Sequence, residues 1–419
     1  MKLSHLSETL IGSEIVKLGG EIRERIRQGE TIYNFTVGDF DPAIFPIPKE
    51  LENEIVEAYR QHFTNYPIAE GNLDLREAII RFHQEFQGGL SYAPDEVLVA
   101  SGGRPLIYAL YRAICDKGDK VIYAAPSWNN NHYTHFIGGE HVIVEATAES
   151  NFMPTAADLA PHLPGAVLLA LCSPQNPTGT TFRPEELKAI CELVVAENKR
   201  RGESEKKLYV LFDQMYWQLT YGAIEHCDPV SLVPGMRDYT VFVDAVSKVF
   251  AATGVRVGWS LGPAFILNKM KAILSHVGAW APMAEQKAVA RYLAQPEAIR
   301  SYLAGFKREI EERLRRIYEG FEALKQEGLP VDAVAPEAAI YLTIKIDGVG
   351  RTTPAGAVLQ NQSEVTSYIL NEAKLAVVPF YAFGAPKGSP WYRLSVGTCR
   401  KEEIGEMIGK LGTALRGLR

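Results

Sequence analysis

The sequence predicts an α/β fold, with a large domain on a mostly parallel seven-stranded sheet and a smaller α+β domain. At 419 residues the chain exceeds one ordinary hydrophobic core, so two domains are expected. From Glu96 onward, short apolar segments alternate with helical patterns, which is typical of parallel strands joined by crossover helices. Their near-continuous apolar character indicates burial on both faces of the sheet. The predicted strands are residues 96–100, 120–124, 141–145, 166–171, 207–212, 240–243 and 256–261.

The predicted large domain spans residues 46–295, and the small domain combines residues 1–45 with 296–419. A clean helical stripe over residues 297–328 predicts one long helix at the start of the C-terminal part. An amphipathic helix is predicted to end at Gly29, because apolar residues recur before it with a helical period. That N-terminal stripe consists of Ile11, Ile15, Leu18, Ile22 and Ile26. Strands of the small domain are predicted at 339–344, 376–379 and 391–397.

Composition narrows the class of protein. Charged residues make up 22% and hydrophobic residues 47%, and the net charge of −6 argues against nucleic-acid binding. The five cysteines are scattered without a Cys-x-x-Cys pair, so neither a metal site nor a disulfide framework is expected. The longest strongly apolar run, residues 166–172, is too short to span a bilayer, and the N-terminus lacks the pattern of a signal peptide. We therefore expect a cytoplasmic protein with no membrane partner.

Lys248 directly follows an apolar, β-branched strand and is the centre of the predicted chemistry. Apolar surroundings at a strand end disfavour the charged form of a lysine and make its amine a usable nucleophile. Further along, Arg256 lies between small residues and offers a fixed cation for a phosphate that needs forked hydrogen bonding. Such a lysine can instead be a solvated cap. Whether Lys248 is a buried nucleophile or a solvated cap therefore depends on the rest of the chain.

Chemically distinctive residues also follow other predicted strands, at the sheet edge where ligands bind in such folds. Ser101, Gly102 and Gly103 precede a helix, and amide groups at a helix start form an anion site. Trp128 could lie flat against an aromatic ring. Asp213 ends a buried strand, where a carboxylate is unfavourable unless a cation or hydrogen bonds accompany it.

The turn Asn176-Pro177-Thr178-Gly179, placed after a buried strand, is the most specific short motif. With the Ser-Lys segment and the Gly-x-Arg-x-Gly pattern of residues 254–258, it resembles the class I/II aminotransferases, the fold-type I enzymes that use pyridoxal 5'-phosphate. The resemblance covers nearly the whole chain from about residue 30.

The resemblance implies catalytic roles for Lys248, Asp213 and Tyr216. Lys248 would carry the cofactor as a Schiff base and then move the substrate α-proton. Asp213 would keep the pyridine nitrogen protonated, so that the ring accepts electrons, while Tyr216 and Asn176 would hydrogen-bond the phenolic oxygen. The implied cofactor-binding residues are Tyr66, Ser101, Gly102, Gly103, Trp128, Asn176, Asp213, Tyr216, Ser247, Lys248 and Arg256.

For the substrate, the resemblance implies that Arg393 clamps the α-carboxylate, with help from Gly38 and Asn176. Arg104 stands where some prokaryotic aspartate aminotransferases carry a lysine that meets the distal carboxylate; alternatively, it only begins a helix and faces solvent. Tyr66 matches a tyrosine that reaches the partner subunit's cofactor, so a homodimer with shared active sites is implied.

Two positions depart from the family pattern. Ala245 replaces a serine that often binds the cofactor phosphate, so the phosphate would depend more on Arg256, Ser101 and the glycine amides. The segment 336–341 also differs from the commoner Pro-x-Gly-Ala-Phe-Tyr, which leaves the shape of the side-chain pocket open.

The expected function is transfer of an amino group from an L-amino acid, of aspartate or aromatic type, to a 2-oxo acid, with 2-oxoglutarate the expected acceptor. The segment 276–280 near the cleft could favour an aromatic or apolar side chain. One alternative is a lyase on the same scaffold, of the C–S lyase or aminocyclopropane-carboxylate synthase kind. The other is a regulator fused to a DNA-binding domain, which the acidic charge and the room for only one helix in residues 1–30 argue against.

Overall fold

The computed structural model describes residues 3–10, 12 and 14–419 of the chain. Its strands are β1 (Tyr33–Asn34), β2 (Val97–Ala100), β3 (Lys120–Ala125), β4 (Glu140–Glu145), β5 (Ala166–Cys172), β6 (Tyr209–Asp213), β7 (Thr240–Ala245), β8 (Gly258–Leu261), β9 (Val331–Ala333), β10 (Tyr341–Ile346), β11 (Leu375–Ala376), β12 (Val378–Pro379) and β13 (Trp391–Ser395). Its helices are α1 (His5–Thr9), α2 (Glu14–Arg27), α3 (Lys49–Arg60), α4 (Leu73–Phe86), α5 (Gly103–Ile114), α6 (Asn130–Ile137), α7 (Ala156–Leu159), α8 (Pro184–Arg201), α9 (Pro229–Leu232), α10 (Val246–Val249), α11 (Ala264–Val277), α12 (Met283–Leu293), α13 (Pro296–Gln326), α14 (Gln362–Glu372) and α15 (Ile404–Arg416).

The seven predicted strands of the large sheet are all present, in the order β2-β8-β7-β6-β5-β3-β4. Strand β8 pairs antiparallel with both of its neighbours, and the remaining pairs are parallel. The α/β fold with a mostly parallel sheet is therefore confirmed. Three predicted strand starts were early: β2 begins at Val97 and β6 at Tyr209. Strand β8 begins at Gly258 because Arg256 adopts a left-handed backbone (φ +59) in the preceding turn.

Alternate residues of these strands enter two separate apolar cores, one on each face of the sheet. Leu211, Val241 and Val243 pack on the face covered by α5 and α11. Phe212 and Phe242 pack on the opposite face with residues of α4, α8 and α12. Burial on both faces explains why the sequences of these strands are almost continuously apolar.

The C-terminal part is organised around a second, four-stranded sheet of order β12-β13-β10-β9 and the long helix α13. Its core is continuous with residues from the segment before α3, including Tyr33 and Phe35. The predicted single strand 376–379 is divided, since β11 pairs with β1 and β12 pairs with β13. The division into domains at residues 45 and 296 stays a proposal.

Helix α2 confirms the predicted N-terminal helix over its described residues, and Ile11 lies outside them. Ile22 is buried whereas Ile26 is exposed, so only part of the predicted stripe packs on the protein. Helices α11 and α12 flank the break predicted at Pro282. In the described part of the chain, no helix has both the length and the apolarity needed to cross a membrane.

The highly charged composition of residues 198–207 predicts a solvated loop, and this prediction is wrong for the first half of the stretch. Asn198 and Arg201 are buried in the last turns of α8. Arg201 donates hydrogen bonds to the carbonyl oxygens of Ala166 and Leu163 and pairs with Glu197. The charged composition does not reveal this burial, because each of these buried polar groups is satisfied by hydrogen bonds or an ion pair within the fold.

Candidate active site

One cavity of about 470 Å³ lies at the carboxyl ends of the central strands, between the large sheet and the C-terminal part. This is the edge at which ligands bind in open α/β sheets. Most of the predicted site residues meet here. Those lining the cavity are Gly38, Gly103, Arg104, Trp128, Asn176, Asp213, Tyr216, Ser247, Lys248, Arg256 and Arg393.

Lys248 lies in the short helix α10, directly beyond β7, and its amine enters the cavity. Its Nζ donates a hydrogen bond to the carbonyl oxygen of Gly38 at 2.6 Å. Burial lowers the pKa of the Lys248 amine to about 8, and the positive charges of Arg393, Arg104 and Arg256 act in the same direction. A substantial neutral fraction near pH 8 makes this amine a competent nucleophile and proton acceptor.

Asp213 ends β6 and presents its carboxyl group to the same cavity. Burial raises its pKa to about 6, and a hydrogen bond donated by the backbone amide of Met215 at 3.1 Å opposes the rise. Among the ion pairs of the described residues, none involves Asp213. A buried carboxyl group without a cation on the protein is complementary to a cation bound in the cavity.

Tyr216 follows β6 on the cavity wall, and its hydroxyl lies 2.5 Å from the hydroxyl of Tyr341. Both phenols are buried. Burial raises the pKa of Tyr216 well above its usual value, so the phenol is a hydrogen-bond donor at neutral pH. Gly38 packs against this pair: a Cβ at that position would lie 2.8 Å from the Tyr341 hydroxyl. Glycine is thus required there by close approach.

Arg393 lies on β13 with its guanidinium buried in the cavity wall. It donates to Oδ1 of Asn176 at 3.1 Å and to the carbonyl oxygen of Thr36 at 2.7 Å. The rings of Tyr341 and Phe383 lie 4.7 and 4.9 Å from its Cζ. Within the described part of the chain, its Nε has no hydrogen-bond partner. The geometry leaves a buried, oriented cation that can take a carboxylate.

Arg256 and the start of α5 form a second cationic corner. Arg256 donates to the carbonyl oxygens of Thr253 at 2.7 Å and of Ser101 at 3.0 Å. Gly102, at φ +88, lies so close that a Cβ would collide with the Arg256 guanidinium. The amides at the start of α5 and this guanidinium together make an anion site.

Trp128 and Arg104 lie against each other at another side of the cavity, with the Arg104 guanidinium 4.5 Å from the indole ring. Arg104 lies in the first turn of α5 and is exposed to solvent, and it also lines the cavity. Tyr66 is not brought to the cavity of its own chain: it is 82% exposed and meets the edge of Trp280. Ser101 contributes its carbonyl oxygen to Arg256 and does not line the cavity.

Sequence reasoning missed several cavity residues. Tyr341 was recognised only as part of a strand, although its place in the divergent segment 336–341 was a signal. Ile15 reaches the cavity from α2, and no local motif distinguishes it from other members of an apolar stripe. Thr253 donates to Oδ1 of Asp39 at 2.7 Å, which links the Lys248 loop to the segment after β1.

The family model described as aminotransferase class I and II matches residues 30–411. The chain belongs to this family. The aspartate aminotransferase of Rhizobium meliloti is 28% identical over 405 residues, covering 96% of this chain and 93% of that protein. The aspartate aminotransferase of Geobacillus stearothermophilus is 30% identical over 389 residues, covering 92% of this chain and 93% of that protein.

Solved structures agree with the sequence relatives. The crystal structure of the Rhizobium meliloti aspartate aminotransferase matches with a TM-score of 0.89 at 26% identity, covering all of both chains. The aromatic aminotransferase of Pyrococcus horikoshii matches with a TM-score of 0.81 at 25% identity, covering 94% of this chain and 98% of that one. The fold-type I architecture and the class of enzyme, a pyridoxal-phosphate-dependent aminotransferase, are therefore confirmed.

The cavity fits pyridoxal phosphate in the chemistry of its donors. When bound, the cofactor supplies an aldehyde that takes up amino groups and a pyridine ring that accepts an electron pair. The Lys248 amine could hold the aldehyde, and the Asp213 carboxyl group, which lacks a protein cation, could hold a protonated ring nitrogen. Arg256 with the amides of Gly102 and Gly103 could hold the phosphate.

The chain's own groups can also carry the proton transfer. With the cofactor and an amino acid bound, the Lys248 amine would act as the group that accepts the substrate α-proton and returns it. Arg393 would orient the substrate by binding the α-carboxylate of that substrate. The Tyr216 hydroxyl would donate a hydrogen bond to the phenolic oxygen of the cofactor.

Proposed function

We propose that this aminotransferase takes L-aspartate as its amino donor and 2-oxoglutarate as its acceptor. Cationic groups at two sides of the cavity carry the proposal: the buried Arg393, and Arg104 against Trp128. Among the described residues neither guanidinium pairs with a carboxylate. A dicarboxylic substrate supplies one carboxylate for each, and both proposed substrates are of this kind. The names of the sequence relatives, aspartate aminotransferases, support the same donor.

An aromatic donor is the second candidate. The cavity also has an apolar wall, to which Ile15, Ile107, Trp128 and Leu171 contribute. An aromatic side chain could pack there if the Arg104 guanidinium turned toward solvent. The Pyrococcus neighbour, named as an aromatic aminotransferase, supports keeping this candidate.

Arg104→Leu tests the two donors against each other. With 2-oxoglutarate as acceptor, we expect kcat/KM for L-aspartate to fall about 10- to 100-fold, since a charge-assisted pair is lost, while that for L-tyrosine changes less than about threefold. Arg112→Leu, an exposed arginine of the same helix that does not line the cavity, is the matched control and should change neither value.

Other outcomes contradict the proposal. If the wild-type enzyme prefers L-tyrosine and Arg104→Leu leaves L-aspartate unchanged, the donor is of aromatic type. If L-cysteine yields pyruvate with ammonia and sulfide without any oxo acid, the lyase alternative is correct.

We also propose a homodimer in which Tyr66 reaches the cavity of the partner subunit. Its exposed ring, together with the exposed apolar side chains of Ile68 and Val277, is unfavourable in water and suits a contact with a second copy.

The proposed division into a large domain (46–295) and a small domain (1–45 and 296–419) remains a prediction that limited proteolysis can test. The proposed cytoplasmic location remains a prediction that cell fractionation can test.

A further inference from the structure

A buried polar network lies beneath the active site, on the face of the large sheet opposite the cavity. Asp244 is the last polar residue of β7 and is 1% exposed. Successive side chains of a strand point to opposite faces. Val243 packs in the core on the cavity side, whereas Asp244 turns toward the core that contains Phe242 and Trp259. The carboxyl group of Asp244 is therefore not a cavity group.

Asp244 joins two chain segments that each carry an active-site residue. Its Oδ2 accepts a hydrogen bond from the indole Nε1 of Trp217 at 2.7 Å, and Trp217 directly follows Tyr216. Its Oδ1 accepts from the backbone amide of Ala245 at 2.7 Å, at the point where β7 leads into α10 and Lys248. One carboxyl group thus ties the Tyr216 segment to the Lys248 segment.

His83 of α4 lies next to this carboxyl group, with its Nε2 3.6 Å from Oδ2 of Asp244. Its ring stacks on Trp217, with centroids 5.5 Å apart and planes within 20°. Trp259, on β8, donates its indole N–H to Nε2 of His83 at 2.8 Å, so the neutral ring carries its proton on Nδ1 and donates to Oε1 of Gln87 at 2.8 Å. Burial lowers the pKa of His83 to about 4, which keeps the ring neutral.

The network continues to the segment of Asp213. The side-chain amides of Gln87 and Gln214 exchange hydrogen bonds of 3.1 and 3.2 Å, and Gln214 directly follows Asp213. Gln214 is fully buried. The buried network therefore joins sequence neighbours of Asp213, Tyr216 and Lys248 on one side of the sheet. Asp213, Tyr216 and Lys248 themselves line the cavity on the other side.

We propose that Asp244 is a positioning residue: through Trp217 and the Ala245 amide it holds Tyr216 and Lys248 in their mutual geometry. Asp244 itself does not line the cavity. The inference rests on the proposed roles of Lys248 and Tyr216 at the cofactor. A buried carboxyl group whose hydrogen bonds come from these two segments fixes their relative position more firmly than apolar packing alone.

Asp244→Ala and Trp217→Phe test the link from its two ends. Each should lower kcat at least about 10-fold while changing KM for L-aspartate less than about threefold, since a displacement of about 1 Å affects chemistry more than binding at Arg393. The double variant should be no slower than the slower single variant, because both changes break the same hydrogen bond.

A second readout does not require turnover. The pH at which the absorbance band of the Lys248-bound cofactor changes should move by at least about half a pH unit in both single variants, because Tyr216 and Lys248 face that group. This titration reports on the inference even if L-aspartate is not the donor, so its failure is distinguishable from failure of the proposed substrate.

Asp228→Ala is the matched control. Asp228 is also buried, and its Oδ1 accepts from the backbone amides of Val230 and Ser231, but it does not line the cavity. This variant should lower the melting temperature and leave kcat and the absorbance titration unchanged. If Asp244→Ala does not fold, Trp217→Phe alone decides. Wild-type kcat and titration in Trp217→Phe, or multiplicative effects in the double variant, would overturn the proposal.

Discussion

Lys248 and Asp213 show how one buried environment shifts the pKa values of a basic and an acidic group in opposite directions. Burial lowers the pKa of the Lys248 amine to about 8 and raises that of the Asp213 carboxyl group to about 6, so both shift toward the neutral form. A protonated pyridine nitrogen beside Asp213 would restore its charged form. The cavity therefore favours a ligand that brings its own cation to one group and a carbonyl carbon to the other.

Asp213→Asn tests the buried carboxyl group through stability. The folded pKa of about 6 exceeds the usual 3.8, so folding binds a proton between these values and wild-type stability falls as pH rises through that window. The asparagine variant lacks this penalty. In the cofactor-free protein it should therefore melt about 3 °C or more above wild type at pH 8, with the difference shrinking below pH 6. Differential scanning fluorimetry measures this.

The same experiment with cofactor bound should reverse the order. There the ring nitrogen would supply the cation that Asp213 lacks, so loss of the carboxylate would remove a stabilising pair. Equal melting temperatures of the two cofactor-free proteins across the pH range would contradict the assigned environment of Asp213.

At the scale of elements, the anion corner depends on how closely β8 and the start of α5 approach each other. A Cβ on Gly258 would lie 2.6 Å from the carbonyl carbon of Gly102, and Gly102 itself takes a positive φ against Arg256. Strand pairing of Ala100 with Gly258 sets this approach. Arg256 also holds a left-handed backbone, a strain found mainly where function requires it.

Gly102→Ala should weaken cofactor binding by at least about 10-fold, because the methyl group displaces the Arg256 guanidinium and the backbone is strained at φ +88. Fluorescence titration of the cofactor-free protein with pyridoxal phosphate measures the dissociation constant. Gly254→Ala, in the same loop as Arg256, is the control: its Cβ would meet open space at an ordinary φ, and affinity should stay within about twofold.

For the whole molecule, the surface position of Tyr66 supports the proposed completion of the site across a subunit contact. The ring lies at the surface beside Trp280, whereas the remaining predicted cofactor residues surround or adjoin the cavity of their own chain. A tyrosine held at the surface by a single aromatic contact can serve a second copy more readily than its own site.

Mixing two impaired variants tests this arrangement. Lys248→Ala should abolish activity, and Tyr66→Ala should lower it about 10-fold or more at limiting cofactor. After denaturation and refolding together in equal amounts, the hybrid dimers contain one intact site, so activity should reach about one quarter of wild type. Activity no higher than the average of the separate variants would contradict a site shared between subunits.

The sequence by itself determined the fold class, the seven strands and most of the cavity residues. These follow from local patterns: apolar runs form the buried strands, and residues just after them meet at one edge of the sheet. Lys248, Asp213 and Asn176 could be located because each lies at the end of such a strand or a few residues beyond it. The sequence also indicated the family through the order of these motifs.

Only the tertiary structure decided contacts between segments that are distant in the chain. The approach of Arg393 to Asn176, the pairing of Tyr216 with Tyr341, and the link from Asp244 to Trp217 have no local sequence pattern. The same holds for the burial of Arg201 within a charged stretch. Such contacts depend on how the helices and the sheets pack together, which residue spacing alone does not encode.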